Sequence, residues 1–411
     1  MNLRHYAVVT AAYWAFTLTD GALRLLVLLH FHQLGYTPVQ LASLFLLYEF
    51  FGVVTNFIGG WLAARTGVRA TLIGGIAIQV AALVMLAALD PDWPRFWSVS
   101  FVMACQALSG IAKDLTKMSA KSAIKSMMPP GDRGGLFKWV ALLTGSKNAL
   151  KGVGFFLGGF LLSTAGFHAG LLIMAAVLSV ILGGILLSLP AGIGRPKERP
   201  PITSVLSTSP GINRLSAARV FLFAGRDVWF VVGVPVFLAT SLGWEFMRVG
   251  GFLALWVIGY GLIQGFSPLV LRTMIGASAE SRRVAAVLGF ALAAVTALMP
   301  LALAWEAPAG VVVLGGLAAF GLVFALNSSV HSYLVLAYAT ADRVSMDVGF
   351  YYMANAAGRL VGTLLSGVTY QLGGLPAALW TAAALGLLSG IVGSCLPPIQ
   401  MHLGSEVAGD D

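Results

Sequence analysis

Apolar runs long enough to cross a bilayer, about 20 residues each, recur from one end of this chain to the other. Only short polar stretches separate them. The charge content makes the same point: 58% of the 411 residues are hydrophobic and 10% are charged, against about 25% charged in a soluble globular protein. A soluble chain so poor in charge could not clothe its surface. The expected class is an all-α membrane protein. The first apolar run is interrupted by Asp20 and Arg24, and no small-residue cleavage site follows a short hydrophobic region, so it reads as a retained span rather than a cleaved leader.

The pattern predicts twelve spans, over residues 7–31, 38–63, 70–89, 96–118, 136–164, 168–189, 214–240, 246–271, 284–305, 309–338, 346–371 and 375–396. Turn-forming residues separate them, at Gly35-Tyr36-Thr37-Pro38, Asp90 to Pro94, Pro129-Pro130-Gly131 and Gly373-Gly374. With the N-terminus in the cytoplasm, the inside loops hold Arg4, Arg65, Arg69, Lys121, Lys125, Arg133, Arg195, Lys197, Arg199, Arg214, Arg272, Arg282, Arg283 and Arg343, and the outside loops hold Arg95 and Arg248. Fourteen against two sets the orientation by the positive-inside rule. An even number of spans returns the C-terminus to the cytoplasm. The net charge of +9 is then mostly a topology signal, and no nucleic-acid partner is expected. The Pro-rich, basic stretch 190–213 is a cytoplasmic linker. It divides the chain into six-helix bundles at 1–189 and 214–396, followed by a tail at 397–411.

The two halves repeat weakly at an offset of 207 residues. Asp20 then matches Asp227, Gly52 matches Gly259, Asn148-Ala149 matches Asn355-Ala356, and Gly166 matches Gly373. Parallel halves with a site between them are the architecture of the major facilitator superfamily. Residues Gly60 to Arg69 (GWLAARTGVR) resemble that superfamily's signature for the loop between its second and third spans. The departure is Ala64, where the family carries an aspartate that latches one closed state, so this chain is expected to latch differently.

A charge at membrane depth costs at least about 2.5–3.5 kcal/mol, so each one needs a partner, a wet cavity or a role. Among the charges within the spans are the cations Arg24, Lys113, Lys117, Lys147, Lys151, Arg219, Arg226 and Arg359, and the acids Asp20, Glu49, Asp114 and Asp227. The excess of cations calls for a water-filled cavity or an anionic ligand. Asp20 and Arg24 share a helix face, which allows either an intrahelical pair or an Arg24 free to clamp a substrate. Arg226 and Asp227 are adjacent, about 100° apart around the helix, and are not expected simply to face each other. Arg219 can reach for the interface; Arg226 is too deep to do so. Lys147 and Lys151 share a face and repel, the strongest single pointer to an anion, with Asn148 beside them. Lys113, Lys117, Lys121 and Lys125 form a stripe that reads as a headgroup contact or as a funnel for anions.

Candidate substrate ligands are therefore Arg24, Lys113, Lys117, Lys147, Asn148, Lys151, Arg226 and Arg359. Candidate proton carriers are Asp20, Glu49, Asp227 and His331, because a buried acid or histidine titrates near neutrality. Asn327 shares a helix face with His331, and Asn56 with Glu49. Gly152, Gly154, Gly158 and Gly159 read as close helix packing. They loosely resemble a glycine motif of drug–proton antiporters in which Phe155 stands in place of a proline. No nucleotide-binding glycine loop is present, and no metal constellation or catalytic triad is expected. Cys105 and Cys395 form no framework. A cofactor-free, gradient-driven carrier of a small anion, working as a monomer, is the expectation. A phosphate or sugar-phosphate exchanger fits the same charges. The cation excess opposes a drug–proton antiporter, and a non-transporting membrane sensor is the remaining alternative.

The stretches Ala12–Tyr36, Tyr48–Asn56, Gln106–Lys125, Val140–Gly159, Ser216–Leu238 and Gly250–Gly261 resemble the ArsJ family of organoarsenical efflux permeases, within the major facilitator superfamily. They hold most of the charged residues named above. The resemblance implies export of 1-arseno-3-phosphoglycerate across a bacterial inner membrane. It also implies a functional link to glyceraldehyde-3-phosphate dehydrogenase, which forms that ester when it uses arsenate in place of phosphate, and hence arsenate detoxification.

Overall fold

In the computed structural model the backbone is described for residues 3–66, 68–127, 133–190, 209–274, 278–339 and 344–398. Most of the linker, the tail beyond 398 and Gly67 lie outside these residues. So do the side chains of the Gly60–Arg69 signature apart from Arg69, and those of Lys121 and Lys125.

The elements, all helices, are α1 (Leu3–Gln33), α2 (Pro38–Thr66), α3 (Val68–Ala87), α4 (Arg95–Met127), α5 (Arg133–Thr164), α6 (Phe167–Ser188), α7 (Pro210–Phe230), α8 (Gly233–Thr240), α9 (Phe246–Met274), α10 (Ser278–Ala304), α11 (Ala309–Tyr338) and α12 (Val344–Ser394). The twelve elements are not one-to-one with the twelve spans. Helices α7 and α8 run as one apolar stretch, Pro210–Thr240. Helix α12 is two limbs joined at Gly373 and Gly374, where the backbone leaves the helix. Among the described residues nine stretches are apolar and long enough to cross a membrane by themselves. With the limbs of α12 taken separately, and with the lysine-bearing α4 and α5 packed among the others, the chain forms the expected twelve passes. Large apolar side chains such as Val180, Leu187 and Leu255 are exposed on the outer surface, and Trp97 and Trp305 are exposed near helix ends, as a lipid-facing belt requires.

The break between α7 and α8 has a local cause. Pro235 has no N–H to give to the carbonyl four residues before it, and its ring crowds that carbonyl. The amides of Val232 and Gly233, freed by the break, donate to Ser366 Oγ at 3.1 and 3.4 Å.

Two pairs of turns carry the internal repeat. Among the described residues the glycines with positive φ are Gly35, Gly166, Gly243 and Gly374, at +72°, +81°, +64° and +61°. Gly35 and Gly243, and Gly166 and Gly374, are both 208 residues apart. The register is therefore one residue longer than the sequence identities suggested: Gly166 matches Gly374, not Gly373. Lys151 becomes the counterpart of Arg359, and Asn56 that of Gln264. Identities spread over helices could not fix this register, because a helix has no unique residue conformation to align.

Within the first half, α1 packs on α4, α5 and α6, α2 on α4, and α3 on α4 and α6. Within the second, α7 and α10 pack on α12, and α9 and α10 on α11. Small residues set the closeness. A β-carbon on Gly158 would overlap the Ala22 carbonyl, and one on Gly358 would overlap that of Val220. The halves meet along α5–α9 and α2–α12. A β-carbon on Gly152 would lie 2.7 Å from Ala254 O, and one on Gly159 would lie 2.6 Å from Phe246 O. Near the turn ends, the Val39 amide donates to Gln371 Oε1 at 3.2 Å. Trp229, wholly buried, makes edge contacts with Phe230, Trp256 and Phe320 and fills the second half beside α9 and α11.

Candidate functional site

The intramembrane charges converge on the seam between the halves. Glu49 of α2 is wholly buried. Its Oε1 accepts from Arg24 Nη1 of α1 at 2.9 Å and from Arg359 Nη2 of α12 at 2.5 Å. Arg359 also approaches Asp227 of α7, with Nε 3.5 Å from Oδ2. Asp227 Oδ1 accepts from Arg226 Nε at 2.6 Å and is 2.5 Å from Arg226 Nη2. Three guanidiniums from three helices thus share two carboxylates. Arg24, Arg226 and Arg359 keep 11%, 15% and 16% of their side-chain surface exposed. Nη2 of Arg24 and Nε of Arg359 have no hydrogen-bond acceptor among the described residues. Free guanidinium N–H groups donate to oxyanions, and a guanidinium released from its carboxylate can do so in bidentate fashion.

Aromatic rings frame the arginines. Arg24 stands over Phe45 and Tyr48, at 5.3 and 5.6 Å to the ring centroids. Arg226 stands over Phe223 and Phe324, at 4.7 and 5.5 Å. Such contacts are worth about 0.5–2 kcal/mol each, and they fix the guanidinium planes.

Lysines form a second cluster beside the first. Lys117 Nζ donates to Asp114 Oδ1 at 2.6 Å and to Asn56 Oδ1 at 2.9 Å. Lys113 Nζ is 3.6 Å from Asp114 Oδ2 and lies 4.1 Å over the Tyr48 ring. Tyr48 therefore touches both clusters. Its hydroxyl donates to Asp20 at 2.5 Å. Gly52 leaves room here: a β-carbon would come within 3.4 Å of both Lys113 Nζ and Asp114 Oδ2. From α5, Lys151 lies over Phe155 at 5.6 Å and has no carboxylate partner among the described residues. Asn148 donates to Gln264 Oε1 of α9 at 3.0 Å, across the seam.

The placement corrects several expectations. Asp20 and Arg24 share a face but do not pair. Tyr48 takes the first and Glu49 the second, because α2 packs a phenol and a carboxylate at successive positions against α1. Arg226 and Asp227 do pair, since arginine is long enough to curl back over the turn. The candidate proton carriers Glu49 and Asp227 each meet two arginines, and Asp20 meets a phenol. Arg219 does not reach for the interface. It is 4% exposed, lies 4.1 Å from the Phe223 ring, and donates to Ser328 Oγ at 3.1 Å. Lys147 lies within α5 one turn before Lys151. His331 stands apart from that cluster, in α11, wholly buried. Charge reasoning passed over Tyr48, Gln264 and Ser328. The signal for Tyr48 was its position directly before Glu49, and for Gln264 its place 208 residues after Asn56. Ser328 carried no signal.

An apolar layer lies beyond the arginines. Leu25, Leu28, Phe155, Phe230, Val231, Pro235 and Leu253 line a small void with Arg24 at its floor. Among the described residues no cluster of His, Cys, Asp and Glu could hold a metal ion.

The sequence matches the Major Facilitator Superfamily profile over residues 9–330. By sequence, no curated protein matches the chain. Among solved structures it is similar to a POT family transporter in complex with a thioalcohol-conjugated peptide, with a TM-score of 0.76, 12% identity and 95% of each chain covered. It is also similar to a POT family transporter in complex with 5-aminolevulinic acid, with a TM-score of 0.75, 13% identity and the same coverage. At these identities the likeness is one of fold.

Proposed function

We propose, from the premise that this chain belongs to the Major Facilitator Superfamily, that it is a secondary active exporter of a small organic oxyanion, 1-arseno-3-phosphoglycerate, and so confers tolerance of arsenate. The observation that carries this reading is the meeting of Arg24, Arg226 and Arg359 around only two carboxylates, with unfilled N–H donors on Arg24 and Arg359. A cationic or neutral substrate would leave such a surplus uncompensated. The lysine pair at Asp114 offers a second oxyanion-binding region, which suits an ester with a phosphate at one end and an arsenate at the other. The arsenic itself rests on the resemblance to the ArsJ permeases. In this reading glyceraldehyde-3-phosphate dehydrogenase supplies the substrate. The chain works as a monomer in a bacterial inner membrane with both termini in the cytoplasm, and the apolar layer beyond Arg24 closes the outer end. Alternating access then means movement of the 1–189 and 214–396 halves about the seam, with the Glu49–Arg359 pair exchanging for substrate oxygens.

Everted vesicles test this. Supplied with labelled arsenate, glyceraldehyde 3-phosphate, NAD and the dehydrogenase, vesicles carrying the chain should accumulate label that control vesicles do not. Omission of the dehydrogenase should abolish the accumulation. Uptake of labelled arsenate or phosphate without the enzyme would overturn the assignment in favour of a phosphate exchanger, and equal uptake of a sugar phosphate would favour a sugar-phosphate exchanger.

A further inference from the structure

We propose that Asn327 and His331 of α11, with Arg219 of α7 and Ser328, line a second polar site that holds water and binds the coupled proton, separate from the anion site. This rests on the transport reading above and names the group that drives it.

Asn327, Ser328 and His331 are each 0% exposed. Both ring nitrogens of His331 and both side-chain polar atoms of Asn327 lack a hydrogen-bond partner among the described residues, as does Nε of Arg219. Asn327 and His331 are four apart and so share a face of α11. Buried polar atoms are almost always satisfied, by protein or by ordered water. Leaving one unsatisfied costs about 1–3 kcal/mol. Five such atoms in one region would be prohibitive, so the region has to take up water. Ile212, Leu215, Val330 and Leu334 form an apolar cluster on the same elements.

The other proton candidates are engaged. Asp20 accepts from Tyr48, Glu49 from Arg24 and Arg359, and Asp227 from Arg226. His331 is the candidate that can take a proton without first giving up a partner. Of the elements packed on α11, α7 presents Arg219, the charged group that acts on His331. Helix α12 presents Tyr351, whose ring lies 5.0 Å from the Arg219 guanidinium. Neither α9 nor α10 presents a charged group to the ring among the described residues.

Arg219 gives the proton a mechanical consequence. A proton passes from water to a ring nitrogen, and the imidazolium then repels the guanidinium in a low-dielectric interior. Arg219 donates to Ser328 Oγ at 3.1 Å, Gln264 Nε2 donates to the same oxygen at 3.4 Å, and Gln264 Oε1 accepts from Asn148 at 3.0 Å. Protonation of His331 thus bears on a chain of side chains that ends on α5, across the seam. Release of the proton to water restores the contact.

The test uses the everted vesicles with label formed in place by the dehydrogenase. An acid lumen should raise accumulation by the native chain. His331→Gln should keep downhill uptake but lose the response to the pH gradient, a loss of about tenfold or more, within the usual range of coupling between sites. Asn327→Leu, which leaves the ring but fills the wet space, should show the same split. It serves as the test if His331→Gln does not reach the membrane. A full gradient response in either variant that reaches the membrane, or none in the native chain, overturns the proton site while leaving transport intact. Absence of dehydrogenase-dependent label with the native chain removes the transport reading itself.

Discussion

Arg359 of α12 and Glu49 of α2 are joined across the seam, with Nη2 and Oε1 2.5 Å apart. Arg24 of α1 reaches the same oxygen at 2.9 Å. One carboxylate oxygen thus ties the first six spans to the last six. Glu49 has 0% of its side chain exposed, so this tie is shielded from water and little screened by salt.

Glu49→Gln keeps the shape and removes the charge. Loss of one partner from a buried pair costs about 3–5 kcal/mol, and here it leaves two guanidiniums facing each other. The purified variant should unfold at a clearly lower temperature than the native chain, and cells relying on it should lose arsenate tolerance. A native melting temperature for Glu49→Gln would mean that the tie does not form in the membrane.

The spans and the cation surplus were legible in the sequence because both depend on composition and local spacing. The pairing was not. Whether Arg24 meets Asp20 or Glu49 depends on how α2 lies against α1, and Arg359 finds Glu49 only because α2 and α12 cross the seam together. The separation of about 100° between Arg226 and Asp227 was correct for the Cβ vectors and wrong for the charged tips, since a flexible four-atom stem outweighs the helical angle. The repeat was visible to within one residue. Gly35, Gly166, Gly243 and Gly374 set the register through a backbone conformation, which residue identity does not reveal.

Charge alone does not account for the use of arginine. Arg24→Lys and Arg226→Lys keep the charge and lose the planar fork. Each should lower dehydrogenase-dependent uptake by about tenfold, equivalent to about 1.4 kcal/mol, with expression unchanged. Arg24→Ala, Lys151→Ala and Arg226→Ala should each abolish arsenate tolerance. Wild-type uptake by both lysine variants would show that the fork does not bind the substrate.

Helix packing gives a prediction whose sign is set by two opposing effects. Alanine is favoured over glycine in a helix by about 1 kcal/mol. At Gly184, where nothing lies within 4 Å of the added carbon, Gly184→Ala should leave stability equal or slightly raised. At Gly158 the same carbon would overlap the Ala22 backbone, and backbone cannot rotate away. Gly158→Ala should therefore lower the melting temperature in detergent despite the gain in helix propensity. Equal melting temperatures for the two variants would contradict the close approach of α1 and α5.

The phenol of Tyr48 holds Asp20 in a buried position, with the residue 9% exposed. Tyr48→Phe removes the donor and leaves a buried carboxylate without it, at a cost of about 1–3 kcal/mol. Asp20→Asn keeps an oxygen to accept the same bond and removes the charge that needed it. The two should therefore differ: Tyr48→Phe should lower the melting temperature, and Asp20→Asn should change it little. If Asp20 serves only to orient Tyr48 between Arg24 and Lys113, Asp20→Asn should also keep its transport response to an acid lumen. Loss of that response in Asp20→Asn, with stability intact, would move the coupled proton from His331 to Asp20.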